Sequence, residues 1–483
     1  MSRPYPVARS VALLAVVSMA LGCDAARWEQ VFSRASQLET RAGWNGGDAA
    51  LSVPLPSGRN LWLFGDSFVT RVSPSGQRLP DPTGRTLSLG TFIAVHDDAG
   101  DPDPDEIRFW ASEGGESVEV TGPGAATPSQ GFFTHGRLAL SVASQDGAWL
   151  WPAGAWADGP RVVVALTEVG PCTPDARNTA FECFALPGGV GVDILDTVLV
   201  TIPDARGEPR DWLRTARAVR LSDAGFGADT QWGKAFTRGP DGRIYVFGVR
   251  QLGTTARYEL VEARAHPERL DHPEEWELRV QDGWRTVAAL DGAWSDVETV
   301  ANDVGAFVSV HTATRRGTTR YVLTHTHPAP AGPPGLPVPV AQRRPASHMV
   351  FVRVTEWSGE LRWGNLDDST QRIDLLASDP LLASIARDLY ETGRCEDATL
   401  QSCGTSYHAL AHPELSRADE QGDASFLVSY IVPHDARPGS YLESFPPLVD
   451  TYRPRFRQVR YDTLRPWCNL AGTSCDFTSG SGG

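Results

Sequence analysis

The sequence predicts an all-β protein, a five-bladed β-propeller with loop insertions and one short external helix. Three observations predict it. Short β-branched and aromatic runs fill most of the 483 residues, with 47 Gly and 36 Pro to supply the turns between them. The hairpin Pro56-Ser-Gly-Arg-Asn-Leu-Trp-Leu-Phe-Gly65 recurs as Pro240-Asp-Gly-Arg-Ile-Tyr-Val-Phe-Gly248, with the same turn chemistry and exit glycine. Weaker relatives at Gly147–Leu166, Gly305–Thr324 and Ala424–Val432 bring the sheet units to five. Small repeated sheets protect their edges by radial repetition. A β-sandwich, or a pair of all-β domains, is the alternative.

The chain opens with a leader. Arg3 and Arg9 precede an apolar run from Val11 to Leu21, so residues 1–22 read as a secretory signal, too short and wrongly flanked for a membrane span. Ala20-Leu-Gly-Cys23 resembles a lipobox, although Leu usually stands where Ala20 is. Cys23 is therefore the expected lipidated first residue of an exported protein, anchored in a bacterial membrane through that lipid alone. Ordinary secretion is the alternative. Residues 23–40 read as a linker, 41–466 as the catalytic propeller and 467–483 as a disulfide-closed tail.

Removing Cys23 from seven cysteines leaves six in local pairs: Cys172 with Cys183, Cys395 with Cys403, and Cys468 with Cys475. Each pair closes a short loop rich in turn formers, which favours nearest-neighbour disulfides in an exported protein. None has metal-ligand spacing with nearby histidines, so no metal and no cofactor is expected. Asp97-Asp98 with the Asp101–Glu106 run lacks the glycine and spacing of a calcium loop and reads as solvated. His327–Pro339 is a proline-rich insertion. Asp379 as N-cap, Pro380 and the Leu381, Ile385, Leu389 stripe predict the helix, ending at Gly393. Thr478–Gly483 is an expected disordered end.

A net charge of −15 disfavours nucleic acid and anionic headgroups as electrostatic partners, and is silent on a neutral polysaccharide. No Gly-x-Ser-x-Gly elbow, phosphate-binding glycine loop or His-Glu-x-x-His helix is present.

The residues that carry chemistry are two aspartates. A turn centred on Ser57 sets Asp48, in Trp44-Asn-Gly-Gly-Asp48, opposite Asp66, in Leu61-Trp-Leu-Phe-Gly-Asp66-Ser. Like charges facing across a hairpin are destabilising. Paired carboxylates are also what glycoside hydrolysis requires. Crowding raises one pKa, so that group stays protonated as a general acid and the two titrate as a couple. The bland alternative has Asp48 capping a Gly-Gly turn and Asp66 forming an Asx-turn.

With these motifs, the chain resembles the secreted bacterial propellers of the domain-of-unknown-function 4185 and 5005 group. Part of that group is glycoside hydrolase family 183, the endo-D-arabinanases. Further matching stretches are Gln231-Trp-Gly233, Ile244–Gly248, Ala411-His-Pro-Glu-Leu-Ser416, Leu427–Tyr430 and Tyr452-Arg-Pro-Arg-Phe456, in order from about residue 41 to 461. The resemblance implies a propeller that cleaves furanosidic D-arabinan, with its two essential carboxylates at Asp48 and Asp66. Trp151-Pro-Ala-Gly-Ala155 departs from it, lacking an expected aspartate.

Substrate-binding candidates are Trp44, Asn45, Gln231, Trp232 and His412. Trp62 and Trp151 are weaker platform candidates, because most of fifteen tryptophans belong between blades. Glu414 is a candidate third acid, and Arg453 and Arg455 flank a proline where a closing salt bridge is expected. The expectation is a monomeric arabinan hydrolase. A non-catalytic glycan-binding propeller and a hydrolase of L-arabinan or fructan are the alternatives.

Overall fold

The two copies of the repeated turn fold alike. Leu55 N–H donates to Arg59 O at 2.8 Å, and Gly239 N–H to Arg243 O at 2.8 Å. Gly58 and Gly242 both take φ +78°, a left-handed conformation open to glycine without steric cost. Beyond the first turn, Leu51, Ser52, Val53 and Pro54 pair with Leu63, Trp62, Leu61 and Asn60, the register that a turn centred on Ser57 predicts.

The computed structural model describes residues 23–36 and 43–461. Excepted are a few single residues or pairs and the stretches 74–77, 80–86, 98–105, 121–127, 141–145, 173–183, 186–190, 252–257, 327–348, 364–370, 376–378, 388–406, 416–424 and 433–451. Outside it lie the expected leader, the proline-rich insertion, most of the acidic run, the expected tail and the Cys23 side chain. Of the three expected disulfides, Cys172 is disulfide-bonded. Its expected partner Cys183 lies outside the described residues, as do Cys395 and Cys403 of the second pair and Cys468 and Cys475 of the third.

The described strands form five antiparallel sheets in chain order. Their first strands are Gly43–Pro54, Trp149–Asp158, Thr230–Arg238, Val308–Arg315 and Tyr407–His412. Each first strand packs beside that of the next sheet, and the fifth returns to the first, closing a ring. This is an all-β, propeller-like arrangement with few helices. The fifth sheet has three strands, and the others have four to seven.

The seams between sheets hold the core. Side chains alternate across a strand, so a strand packed on both faces reads as a continuous apolar run. Arg161–Cys172 shows this: Val162, Val164 and Leu166 pack against Leu61, Leu63 and Ile93 of the first sheet. Val163 and Ala165 between them face Trp232, Phe236 and Val246 of the third.

The seam between the fifth and first sheets is closed by an element that the sequence reading had as linker. Cys23–Ser36 is an α-helix. Trp28, Val31 and Phe32 recur at helical spacing and form one buried face. Phe32 stacks on Phe456 of the last strand at 5.8 Å and meets Trp62 of the first sheet edge-on at 5.0 Å. Phe456 N–H donates to Glu29 Oε1 at 3.2 Å. No helix among the described residues is long and apolar enough to cross a membrane.

The expected helix after Asp379 is partly described. Leu382, Ala383 and Ser384 are helical, and Ala383 N–H donates to Asp379 O at 3.0 Å. The buried Asp379 carboxylate accepts from Leu382 N–H, from Tyr430 Oη at 2.7 Å and from Arg455 Nε at 2.5 Å. That is the closing salt bridge expected at Arg455.

Candidate active site

Above the regular part of the first hairpin the register breaks. Gly47 pairs with Ser67 and Ala49 with Phe64, so Gly65 and Asp66 together lie opposite the single residue Asp48. The expected direct Asp48–Asp66 pairing is thus replaced by a bulge, a device that re-aims side chains beside active sites. Gly65 makes this approach possible, because a Cβ there would stand 2.9 Å from Asp48 Cβ. Gly65→Ala is expected to displace Asp48 and cut activity at least tenfold while the melting temperature moves by only a few degrees. Kinetics alongside a melting curve checks this.

Asp66 is buried, whereas Asp48 is half-buried. Burial first, and then the neighbouring Asp48 charge, push the Asp66 carboxyl up to about 8. Two donors oppose the rise. Gly90 N–H donates to Asp66 Oδ1 at 2.7 Å. The Trp151 indole pulls in the same direction, although its N–H does not meet hydrogen-bond geometry. Asp66 therefore keeps its proton at neutral pH beside a second carboxyl group, the asymmetry that an acid-and-partner pair requires.

The strand carrying Asp48 is held in strain from the fifth sheet's side. Ala49 and Ala50 have φ of +62° and +137°, a conformation that costs a non-glycine residue roughly 1–3 kcal/mol and that clusters at functional sites. Gly47 N–H donates to Tyr452 O at 2.8 Å. Ala49 N–H donates to His408 Nδ1 at 2.7 Å, which makes Nδ1 the acceptor nitrogen of that ring. Burial, and then the nearby Lys234 charge, hold His408 well below its usual range, so the imidazole is neutral.

Four of the five inner strands break register in this zone. Besides the first hairpin, the shifts fall between Pro152 and Gly154, between Gln231 and Ala235, and between Tyr407 and Leu410. Around these irregularities Trp151 stands beside Asp66, His408 holds the residue after Asp48, and Lys234 lies near His408.

Several sequence-predicted binding residues lie elsewhere. Trp44 is buried, stacked on Phe109 at 4.4 Å and donating to Ser67 Oγ at 3.2 Å, so it is core rather than a sugar platform. Trp232 is buried against Phe226 in the seam between the second and third sheets. Asn45 is spent on the backbone, donating to Thr70 O at 2.8 Å and accepting from Arg78 Nε at 2.9 Å. His412 is wholly buried between Ser429 Oγ at 2.7 Å and Ser52 Oγ at 2.5 Å, bridging the fifth and first sheets. Glu414 accepts from the same Ser52 hydroxyl. Packing between elements claimed Trp44, Trp232 and His412, while hydrogen bonds within the first sheet claimed Asn45. Gln231 is different: it is buried on the third inner strand, and its Nε2 has no hydrogen-bond partner among the described residues.

No motif in the sequence singles out Gly65, Gly90 or His408, and the tryptophan beside Asp66 is Trp151 rather than Trp44 or Trp232. Among the described residues, His272, Glu274 and Glu275 place possible metal-ligand atoms within 4.8 Å of one another, on a turn in the third sheet's outer connection.

One solved structure shares this architecture. A crystal structure from Bacteroides ovatus, provisionally described as a hydrolase, superposes with a TM-score of 0.54 at 17% identity, covering 90% of this chain and 89% of its own. An exo-1,5-α-L-arabinanase from a bovine ruminal metagenomic library gives 0.33 at 10% identity, covering 81% of this chain and 90% of its own. The intramolecular trans-sialidase of Ruminococcus gnavus gives 0.36 at 8% identity, covering 89% and 97%. No curated protein matches the chain. The model of one family matches residues 33–333, more than half of the sequence and the part that carries both aspartates: the chain belongs to the family described as domain of unknown function 5005 (DUF5005).

Proposed function

We propose that this protein is a five-bladed propeller glycoside hydrolase, exported and lipid-anchored through Cys23, that cleaves furanosidic D-arabinan. The observation that carries the reading is the Asp48–Asp66 pair, in which one buried carboxyl keeps its proton at neutral pH beside a more exposed one. Asp66 acts as the general acid and delivers its proton to the leaving glycosidic oxygen. Asp48 supplies the second carboxylate of the mechanism. Gly90 N–H then stabilises the carboxylate that Asp66 becomes, through a bond already in place before the proton leaves.

Arabinan as substrate is supported by the ordered motifs that resemble the endo-D-arabinanases. The half-buried Trp151 beside Asp66 offers an aromatic ring for a sugar face, in place of Trp44 and Trp232. The test incubates the mature protein with mycobacterial arabinogalactan, L-arabinan and levan and follows released oligosaccharides. Products from arabinogalactan alone are expected. Products from L-arabinan or levan alone would move the substrate, and none from any of the three would leave a binding module.

A further inference from the structure

Of the 44 lysine and arginine residues in this chain, Lys234 alone is lysine. The other 43 are arginine. The single exception is 3% exposed on the inner strand of the third sheet. It sits in the register break between Gln231 and Ala235, beside Gly233 at φ +73°. Gly233 itself is wedged against the second sheet, where a Cβ would stand 2.3 Å from Ala165 Cβ.

The surroundings of its amine run round the axis to both aspartates. Lys234 Nζ donates to Thr167 Oγ1 at 3.3 Å. Thr167 is the register partner of Trp151, whose indole reaches toward Asp66. On the other side Nζ lies 5.3 Å from the Phe307 ring centroid, and Phe307 meets His408 at 3.6 Å. His408 in turn holds Ala49, the residue after Asp48. An ammonium carries three donors and here makes one hydrogen bond, to a neutral hydroxyl, with no carboxylate salt bridge among the described residues. Burying a charge in that way is costly. Gln231, three residues earlier, adds a buried Nε2 donor with no hydrogen-bond partner among the described residues.

We infer that Lys234 is a substrate-contacting residue of the central site, its amine donating to an oxygen of the bound glycan opposite the Asp48–Asp66 pair. The choice of lysine has a chemical reason. A guanidinium stays charged in a protein, whereas a buried amine loses its proton readily. Burial pushes Lys234 down to about 7, so near neutral pH the amine is partly uncharged, and it still donates N–H groups in that form. The inference rests on the glycosidase reading only for the identity of the ligand.

One amine in the chain, apart from any free N-terminus, makes the test clean. The folded protein is treated with acetic anhydride at pH 7.5, with peptide mapping to separate Lys234 from the N-terminus. Acetylation of Lys234 in the native state, with parallel loss of activity and protection by arabinan oligosaccharide, is the expected result. Acetylation only after unfolding would mean a sealed core lysine and would overturn the inference. Lys234→Met and Lys234→Gln are expected to raise KM about tenfold or more, with smaller changes in kcat and a melting temperature equal to or above wild type. Wild-type KM and kcat in both variants would also overturn it. If the unmodified protein cleaves no glycan, the glycosidase reading fails, while the acetylation result still decides whether Lys234 faces an open site.

Discussion

Asp66→Asn is expected to lower kcat/KM about 10²–10⁴-fold, the usual worth of a positioned general acid. Asparagine preserves the shape of the side chain and can still meet Gly90 N–H, so the fold survives the change. The same variant has a thermodynamic signature. An aspartate whose carboxyl is near 3.8 when unfolded and about 8 when folded contributes stability that is fully present below pH 4. That contribution is lost as pH rises through 8. Asparagine carries no such dependence, so the melting temperature of the variant should gain on wild type steadily from pH 4 to 8 and level off above. The gain is at most several kcal/mol, at about 1.36 kcal/mol for each pH unit. In the active enzyme the same proton predicts an alkaline limb of kcat/KM near pH 8. A variant as active as wild type, or a stability difference flat between pH 5 and 9, would remove Asp66 from the acid's role.

Phe32→Ala should cost about 3–5 kcal/mol, the range for deleting a large buried aromatic side chain. Phe32 is fully buried and touches Trp44, Trp62, Phe64 and Phe456, residues of both the first and last sheets. Its loss would open the ring where the first and last sheets meet. That seam also contains bonds that hold the strained Asp48 strand, among them Gly47 to Tyr452 and Ala49 to His408. Activity should therefore fall below the midpoint of unfolding, as the strand relaxes before the sheets melt. Chemical denaturation followed in parallel by tryptophan fluorescence and by turnover measures both effects. Coincident loss of the two signals, or destabilisation under about 1 kcal/mol, would show that the helix only decorates the surface.

Much of the architecture was legible in the residues because it is local. The Pro-x-Gly-Arg turns dictate their own closure, and the alternation in Val162 to Leu166 records burial on two faces. Residues 23–40 read as a linker because they follow an expected leader, although Trp28, Val31 and Phe32 stand at the helical spacing that the helix Cys23–Ser36 uses. The site was half legible. Asp48 and Asp66 are set near one another by a turn only a few residues away. Trp44, Trp232 and His412 sit in the right motifs and were assigned to binding, yet each fills a seam between sheets. Lys234 carried a compositional signal, as the lone lysine, that periodicity and motif spacing do not register.

Sequence alone determined the β character, the repeated turns, the hairpin register up to Leu51 and the proximity of two aspartates, all consequences of short-range geometry. The tertiary structure decided which aspartate holds the proton, which tryptophan stands beside it and how the strand is strained. Those outcomes depend on desolvation and on contacts such as Ala49 to His408, across 359 residues of chain. Desolvation is a property of everything packed around a group, and no local pattern encodes it.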